Sequence, residues 1–167
     1  MFQLQTKRLV LKRIPIKDCN QMFIYMNDIE TTKFLYNGNH KDISETIDFI
    51  GSSYIKDNID LLGIYLKDTD ILIGHIAMLF APLNDLLWVQ NKKYQGNGYL
   101  LEAGEVFIKY IFNRYNWNCI EAHADINNIK SIKLMENLKM TKISISERIY
   151  PDDRKQSMEV EYQIRNL

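Results

Sequence analysis

Apolar and polar positions divide the 167-residue chain into a mixed series of strands and helices. Leu9 and Leu11, set among Lys7, Arg8, Lys12 and Arg13, predict a first strand with one wet face. Pro15 ends it, and Asp18 opens a short helix carrying Met22, Phe23 and Met26. Asn37-Gly38-Asn39 is a loop signal. Beyond it Ser44-Glu45-Thr46 leads into a helix whose Ile43, Ile47, Ile50 and Tyr54 fall at helical spacing. Strands follow over 61–66 and 71–80, joined by the turn Lys67-Asp68-Thr69-Asp70, and then over 85–90.

The clearest helix is predicted over 98–115. Glu102, Glu105, Lys109 and Asn113 form its wet stripe, and Leu100, Ala103, Phe107 and Ile111 its buried one. Residues 117–125 read as a strand and 128–138 as a second amphipathic helix. At the end Met158, Val160, Tyr162 and Ile164 alternate with Glu159, Glu161, Gln163 and Arg165. Placed after Pro151-Asp152-Asp153, that strand closes a hairpin with 142–149. With no repeat, linker or low-complexity stretch, one α/β domain over 1–167 is expected.

Composition narrows the picture. Apolar residues are 46% and charged residues 25%, as in globular chains. Lysine plus arginine equal aspartate plus glutamate at 21 each, so no global field favours nucleic acid or an anionic membrane as a partner. Cys19 and Cys119 form no CxxC pair and read as buried thiols. The opening residues lack an apolar leader, and the longest apolar runs fall short of the ~20 residues of a membrane helix. A cytoplasmic location is expected. His40, His75 and His123 show no paired ligand spacing, so no metal is expected. The seven methionines read as core filler.

Candidate chemistry begins at Lys93-Tyr94-Gln95-Gly96-Asn97-Gly98-Tyr99, between a predicted strand and the longest helix. Gly96 and Gly98 let the main chain turn tightly and converge its N–H groups, and the next helix adds unpaired donors and a positive dipole end. A pyrophosphate is the natural guest; a plain turn is the alternative. The third glycine of a dinucleotide fingerprint is replaced by Leu101, and the Gly-Lys-Ser/Thr of a P-loop is absent. Downstream, Asp125-Ile126-Asn127-Asn128-Ile129-Lys130-Ser131 ends a strand and opens a helix, where Asn128 also suits a simple N-cap.

Three stretches together resemble the GNAT superfamily, and within it the RimJ/RimL-like branch of ribosomal-protein N-terminal acetyltransferases. They are Thr6-Lys7-Arg8-Leu9-Val10-Leu11-Lys12, Tyr94-Gln95-Gly96-Asn97-Gly98-Tyr99, and Glu121-Ala122-His123-Ala124-Asp125 followed by Asn128-Ile129-Lys130-Ser131. The resemblance implies an α/β (α+β) fold: a mixed, mostly antiparallel sheet of about seven strands, splayed near its middle, with helices on both sides. It implies acetyl-CoA as cosubstrate and an amine as acceptor, in a monomer or homodimer. Gln95, Gly96, Asn97, Gly98, Tyr99 and Leu100 would hold the pyrophosphate. Trp88, Val89 and Gln90 would pair with the pantetheine arm, Asn128 would hold its amide, and Ser131 would lie close to the sulfur.

The chain departs from the family pattern in three places: Leu100 stands for a small residue, Met135 for a tyrosine proton donor, and the pair Lys139-Met140 for a closing Gly-Phe. They motivate an alternative, a non-catalytic acyl-CoA-binding or partner-binding module. For catalysis the reaction needs a proton acceptor, an oxyanion donor and stabilisation of the leaving thiolate. Asp85 and Glu147 are the candidate bases, a main-chain N–H near Val89 or Gln90 the oxyanion donor, and Ser131 the partner of the thiolate. Tyr36 with Asn37-Gly38-Asn39-His40 resembles the family's variable substrate wall. Acetylation of aminoacyl-tRNA is disfavoured by the balanced charge.

Overall fold

The computed structural model describes residues 2–35, 38–55, 59–80, 84–149 and 156–166. The expected positions Tyr36, Asn37 and Pro151-Asp152-Asp153 lie outside them. Eight strands form one sheet in the order β1-β2-β3-β4-β5-β6-β8-β7. They are β1 (Gln3–Gln5), β2 (Leu9–Lys12), β3 (Ile59–Leu66), β4 (Leu72–Leu79), β5 (Asp85–Gln90), β6 (Cys119–Asp125), β7 (Thr141–Ile149) and β8 (Gln156–Arg165). The helices are α1 (Cys19–Met26), α2 (Ile29–Thr32), α3 (Ile43–Ser53), α4 (Tyr99–Tyr115) and α5 (Ile129–Asn137). Among the described residues no helix is long and apolar enough to cross a membrane.

The count exceeds the seven predicted strands by β1, whose three residues are too few to show an alternation of their own. Pairing with β2 creates it, Leu4 opposite Leu11. A short turn of helix, α2, was also not foreseen; Asp28 caps it by accepting from the Thr31 N–H.

Every neighbouring pair in the sheet is antiparallel except β5 with β6. One face is packed by α4 and α5 around Leu9, Leu11, Ile76, Phe107, Ile120 and Met135. The other, over β3 and β4, is packed by α1 and α3 around Ile14, Met22, Tyr25, Ile50 and Leu61. The strict alternation of β6, with Ile120, Ala122 and Ala124 buried and the residues between them half-buried, follows from covering only its first face.

The buried side of α3 differs from its predicted stripe. Thr46, Ile50 and Ser53 are buried, while Ile47 is 37% exposed. A helix this short touches the sheet along one row of side chains, and that row is turned one residue from the apolar spacing. Likewise Met158 is 43% exposed while Glu159, on the predicted polar face of β8, is buried.

The end of α5 explains how Lys139 replaces a glycine. Its N–H donates to Glu136 O and the Met140 N–H to Met135 O, both at 3.0 Å, while Lys139 holds φ 65°. This is a Schellman closure with a side chain in the left-handed region. Lys139→Gly is expected to stabilise the protein by about 1 kcal/mol, read as a raised denaturant midpoint at unchanged slope.

Behind the sheet, the Tyr25 hydroxyl meets His75 Nδ1 at 3.1 Å in a fully buried setting. Burial, with His40 nearby, lowers the His75 pKa to about 3. The neutral ring is therefore the native form, and unfolding takes up a proton between pH ~6.5 and ~3, so stability falls as pH drops through that window. His75→Gln, which keeps a polar partner for Tyr25, should remove about one proton from the uptake measured at pH 5.

Candidate functional site

The defining feature is the parting of β5 from β6. Among the described residues their ladder has a single pair, Asp85 with Glu121, reinforced by the Glu121 N–H donating to Asn84 O at 3.1 Å. Both strands run on from that point, and the gap widens toward Gln90 and Asp125.

Antiparallel pairing sends alternate residues' main-chain groups to opposite sides of a strand. The Asn91 N–H donates to Ile73 O at 2.9 Å, which assigns odd-numbered positions to the β4 side. The main-chain groups of Trp88 and Gln90 therefore face the gap. Val89 does not: its carbonyl lies against Gly74 on β4, so closely that a Cβ on Gly74 would collide with it. The expectation that Val89 offers main-chain groups to a ligand is corrected by this parity.

At the wide end stands the glycine loop. A turn over Lys92–Tyr94, with Asn91 Oδ1 accepting from the Lys93 N–H, carries the chain into it. Gly96 at φ 80° and Gly98 at φ 74° are both left-handed. The Asn97 amide donates to Tyr94 O and Gln95 O at 3.1 and 3.2 Å, holding the bend from inside. The first turn of α4, with Tyr99 and Leu100, then presents N–H groups that have no intrahelical acceptor. Leu100 is partly buried and packs on the main core.

Arg8 buttresses this loop, a role that the sequence did not reveal. Its Nε donates to Glu102 at 2.7 Å, its Nη1 to Asn97 O at 2.9 Å, and its guanidinium lies 4.6 Å from the Tyr99 ring centroid. Burial opposes the Glu102 charge, but bonds from Thr6 and Arg8 outweigh it and lower the carboxyl's pKa. The signal was present in the Thr6-Lys7-Arg8-Leu9 stretch of the first strand, without an indication of what Arg8 touches.

Across the gap, α5 begins. Asn128 acts as its N-cap, Oδ1 accepting from the Ser131 N–H at 3.3 Å. The Ser131 hydroxyl accepts from Trp88 Nε1 at 3.3 Å, so Ser131 and β5 face each other over the cleft. Met135 is fully buried in the main core.

The narrow end is acidic. Asp85, 3% exposed, lies 3.1 Å from His123 Nδ1 through Oδ1. Strand register sets Glu121, His123 and Glu161 on the same face as Asp85. Polar atoms of those three lie within 4.8 Å of one another, an arrangement of two carboxylates and an imidazole able to attract a cation. Glu161 also accepts from the Ser144 hydroxyl at 2.8 Å. These residues come from β6 and β8, 38 positions apart along the chain between His123 and Glu161, and no local spacing signals their meeting.

Glu147, the other candidate base, is not brought to this place. It is exposed on the edge strand β7 and pairs with Met158, on the sheet face opposite to Asp85. The register of the hairpin decides this, because a shift of one residue reverses a strand's faces.

Similarity to known proteins agrees with this geometry. Residues 8–141 match the family described as acetyltransferase (GNAT) domain. The uncharacterized N-acetyltransferase YnaD of Bacillus subtilis (strain 168) is 28% identical over 149 residues, spanning 87% of this chain and 86% of its own. The fold is shared with a GNAT-family acetyltransferase from Bacillus anthracis, at TM-score 0.88 and 24% identity, covering 98% of both chains. It is also shared with the microcin C7 self-immunity acetyltransferase MccE, solved with acetyl-CoA and AMP, at TM-score 0.85 and 15% identity, covering 96% of this chain and 94% of that one. An open strand edge beside a two-glycine loop, and a match over most of the chain, lead to one assignment: the protein is a member of the GNAT acetyltransferase family.

Proposed function

We propose that this acetyltransferase moves the acetyl group of acetyl-CoA to a primary amine by direct attack in a ternary complex. The observation that carries the reading is the one-pair ladder between β5 and β6, with a two-glycine loop at its wide end and a buried carboxylate beside a half-buried imidazole at its narrow end. The loop from Gln95 to Leu100 would hold the pyrophosphate. The gap-facing main-chain groups of Trp88 and Gln90 would pair with the pantetheine arm, as an added strand would. Five residues of strand separate Asp85 from Gln90, about 17 Å, so the arm would deliver its acyl end toward Asp85 and His123.

When bound, the cosubstrate supplies an activated acetyl thioester. The chain supplies the rest. Glu121 and Glu161 draw an ammonium group to the acidic face, and Asp85 fixes the His123 ring so that it can take the proton the amine must lose. A gap-facing N–H, of Trp88 or Gln90, would receive the oxyanion. Ser131 would donate to the departing sulfur, a task that buried Met135 cannot perform. The acidic lining favours acceptors that carry positive charge, a small amine or a protein N-terminus. The RimJ/RimL-like stretches at 6–12, 94–99 and 121–131 keep the second within the same reading.

Radiolabelled acetyl-CoA incubated with an amine panel tests the reaction; label should pass to at least one cationic amine, and transfer to none would refute it. With the acceptor in hand, His123→Ala should lower kcat/KM at pH 7 by about 10²-fold and recover as pH approaches the amine's own pKa. Asp85→Asn should act in the same direction. Ser131→Ala should reduce kcat by roughly tenfold with KM for acetyl-CoA unchanged, and full turnover would remove its role.

A further inference from the structure

Lys130 lies exposed in the first turn of α5, and its Nζ donates to Gln95 Oε1 at 2.8 Å. Gln95 opens the glycine loop, and its Nε2 donates to the main-chain oxygen of Gln90 at 3.2 Å. One glutamine side chain thus spans the wide end of the cleft, tying the edge of β5 to α5.

Three observations set this contact apart from ordinary surface polarity. The Gln90 oxygen belongs to the gap-facing edge, so the Gln95 amide occupies a hydrogen-bonding place that a strand-like ligand would need. Gln90 is itself only 7% exposed, and its side-chain Nε2 is buried with no hydrogen-bond partner among the described residues. Buried donors are seldom left unmatched.

The third is charge. Arg8 is neutralised by Glu102 and Lys92 by Asp28, but among the described residues no carboxylate pairs with Lys130. A lysine held by a neutral amide has surrendered none of its charge, and a phosphate oxygen is a stronger acceptor than an amide oxygen.

We infer that Lys130, Gln95 and the Gln90 carbonyl form a latch across the cleft, released when Lys130 exchanges the Gln95 amide for a phosphate of coenzyme A. Release of Gln95 frees the Gln90 edge for the pantetheine arm, so anion capture and strand pairing are coupled through one side chain. No covalent step is involved. The inference rests on the acetyl-CoA reading above and adds to it a ligand residue and an order of events.

Calorimetric titration of the whole protein with coenzyme A and with 3′-dephospho-coenzyme A tests it. Lys130→Ala and Lys130→Gln should both bind coenzyme A about tenfold more weakly than the parent, and Lys130→Arg should retain most of the affinity. The glutamine variant keeps a partner for Gln95, so its loss reads charge and not packing. A loss that persists with the dephospho compound identifies the pyrophosphate as the partner; a loss that disappears identifies the 3′-phosphate. Gln95→Ala should bind coenzyme A faster in stopped-flow mixing, because no latch has to open. Parental affinity in Lys130→Ala and Lys130→Gln, with thermal midpoints intact, would overturn the phosphate contact. An unchanged association rate in Gln95→Ala would overturn the latch. If the parent protein binds no coenzyme A, the failure lies with the proposed function.

Discussion

An internal strand edge that its neighbour leaves unpaired is the constraint on which this molecule is organised. β5 is fully laddered to β4 on one side, yet on the other it shares one pair with β6 before the strands diverge. Main-chain groups left without partners inside a protein are costly, and such an edge persists only where water, side chains or a ligand can answer them. Here a side chain answers in part, Gln95 donating to the Gln90 oxygen, while the Trp88 indole separately spans the cleft to the Ser131 hydroxyl. These are polar contacts that a stronger partner can replace.

The divergence also divides the chemistry by sheet face and by depth. Toward the wide end, two left-handed glycines and the start of α4 gather N–H groups, with Arg8 bracing the bend from β2. Toward the narrow end, the parallel pairing of β5 with β6 sets Asp85 beside His123 and near the carboxylates of β6 and β8. A loop that gathers N–H groups and a cluster of carboxylates thus lie at opposite ends of one cleft, and under the proposed function they would serve the anionic carrier and the amine. The helices are arranged to match: α4 and α5 pack the face that receives the loop, while α1 and α3 stop at β3 and β4 and leave the acidic face of β6 and β8 uncovered by helix.

Two features away from the cleft have other consequences. His75 and Tyr25 form a neutral pair beneath α1, so this part of the core contributes to acid sensitivity. Lys139 holds a left-handed turn that glycine would adopt without strain, showing that α5 is closed by its hydrogen bonds despite the residue. Neither feature touches the reacting groups, and each can change without altering the cleft.

The chain by itself determined most elements and the loop. Leu9 and Leu11, the stripe of α4, the alternation of β8 and the pair Gly96 and Gly98 express local preferences of period, turn and backbone freedom, which depend on near neighbours. Relations between distant segments came only with the assembled sheet. Val89 turns its main chain to β4 through strand parity, and Glu147 falls on the opposite face through hairpin register. His123 meets Asp85 through a single parallel contact, and Arg8, Gln95 and Lys130 find their partners through the packing of β2, α4 and α5. Period and propensity act over a few residues, whereas register and strand divergence are set by the whole sheet at once, and so cannot be read from any one stretch.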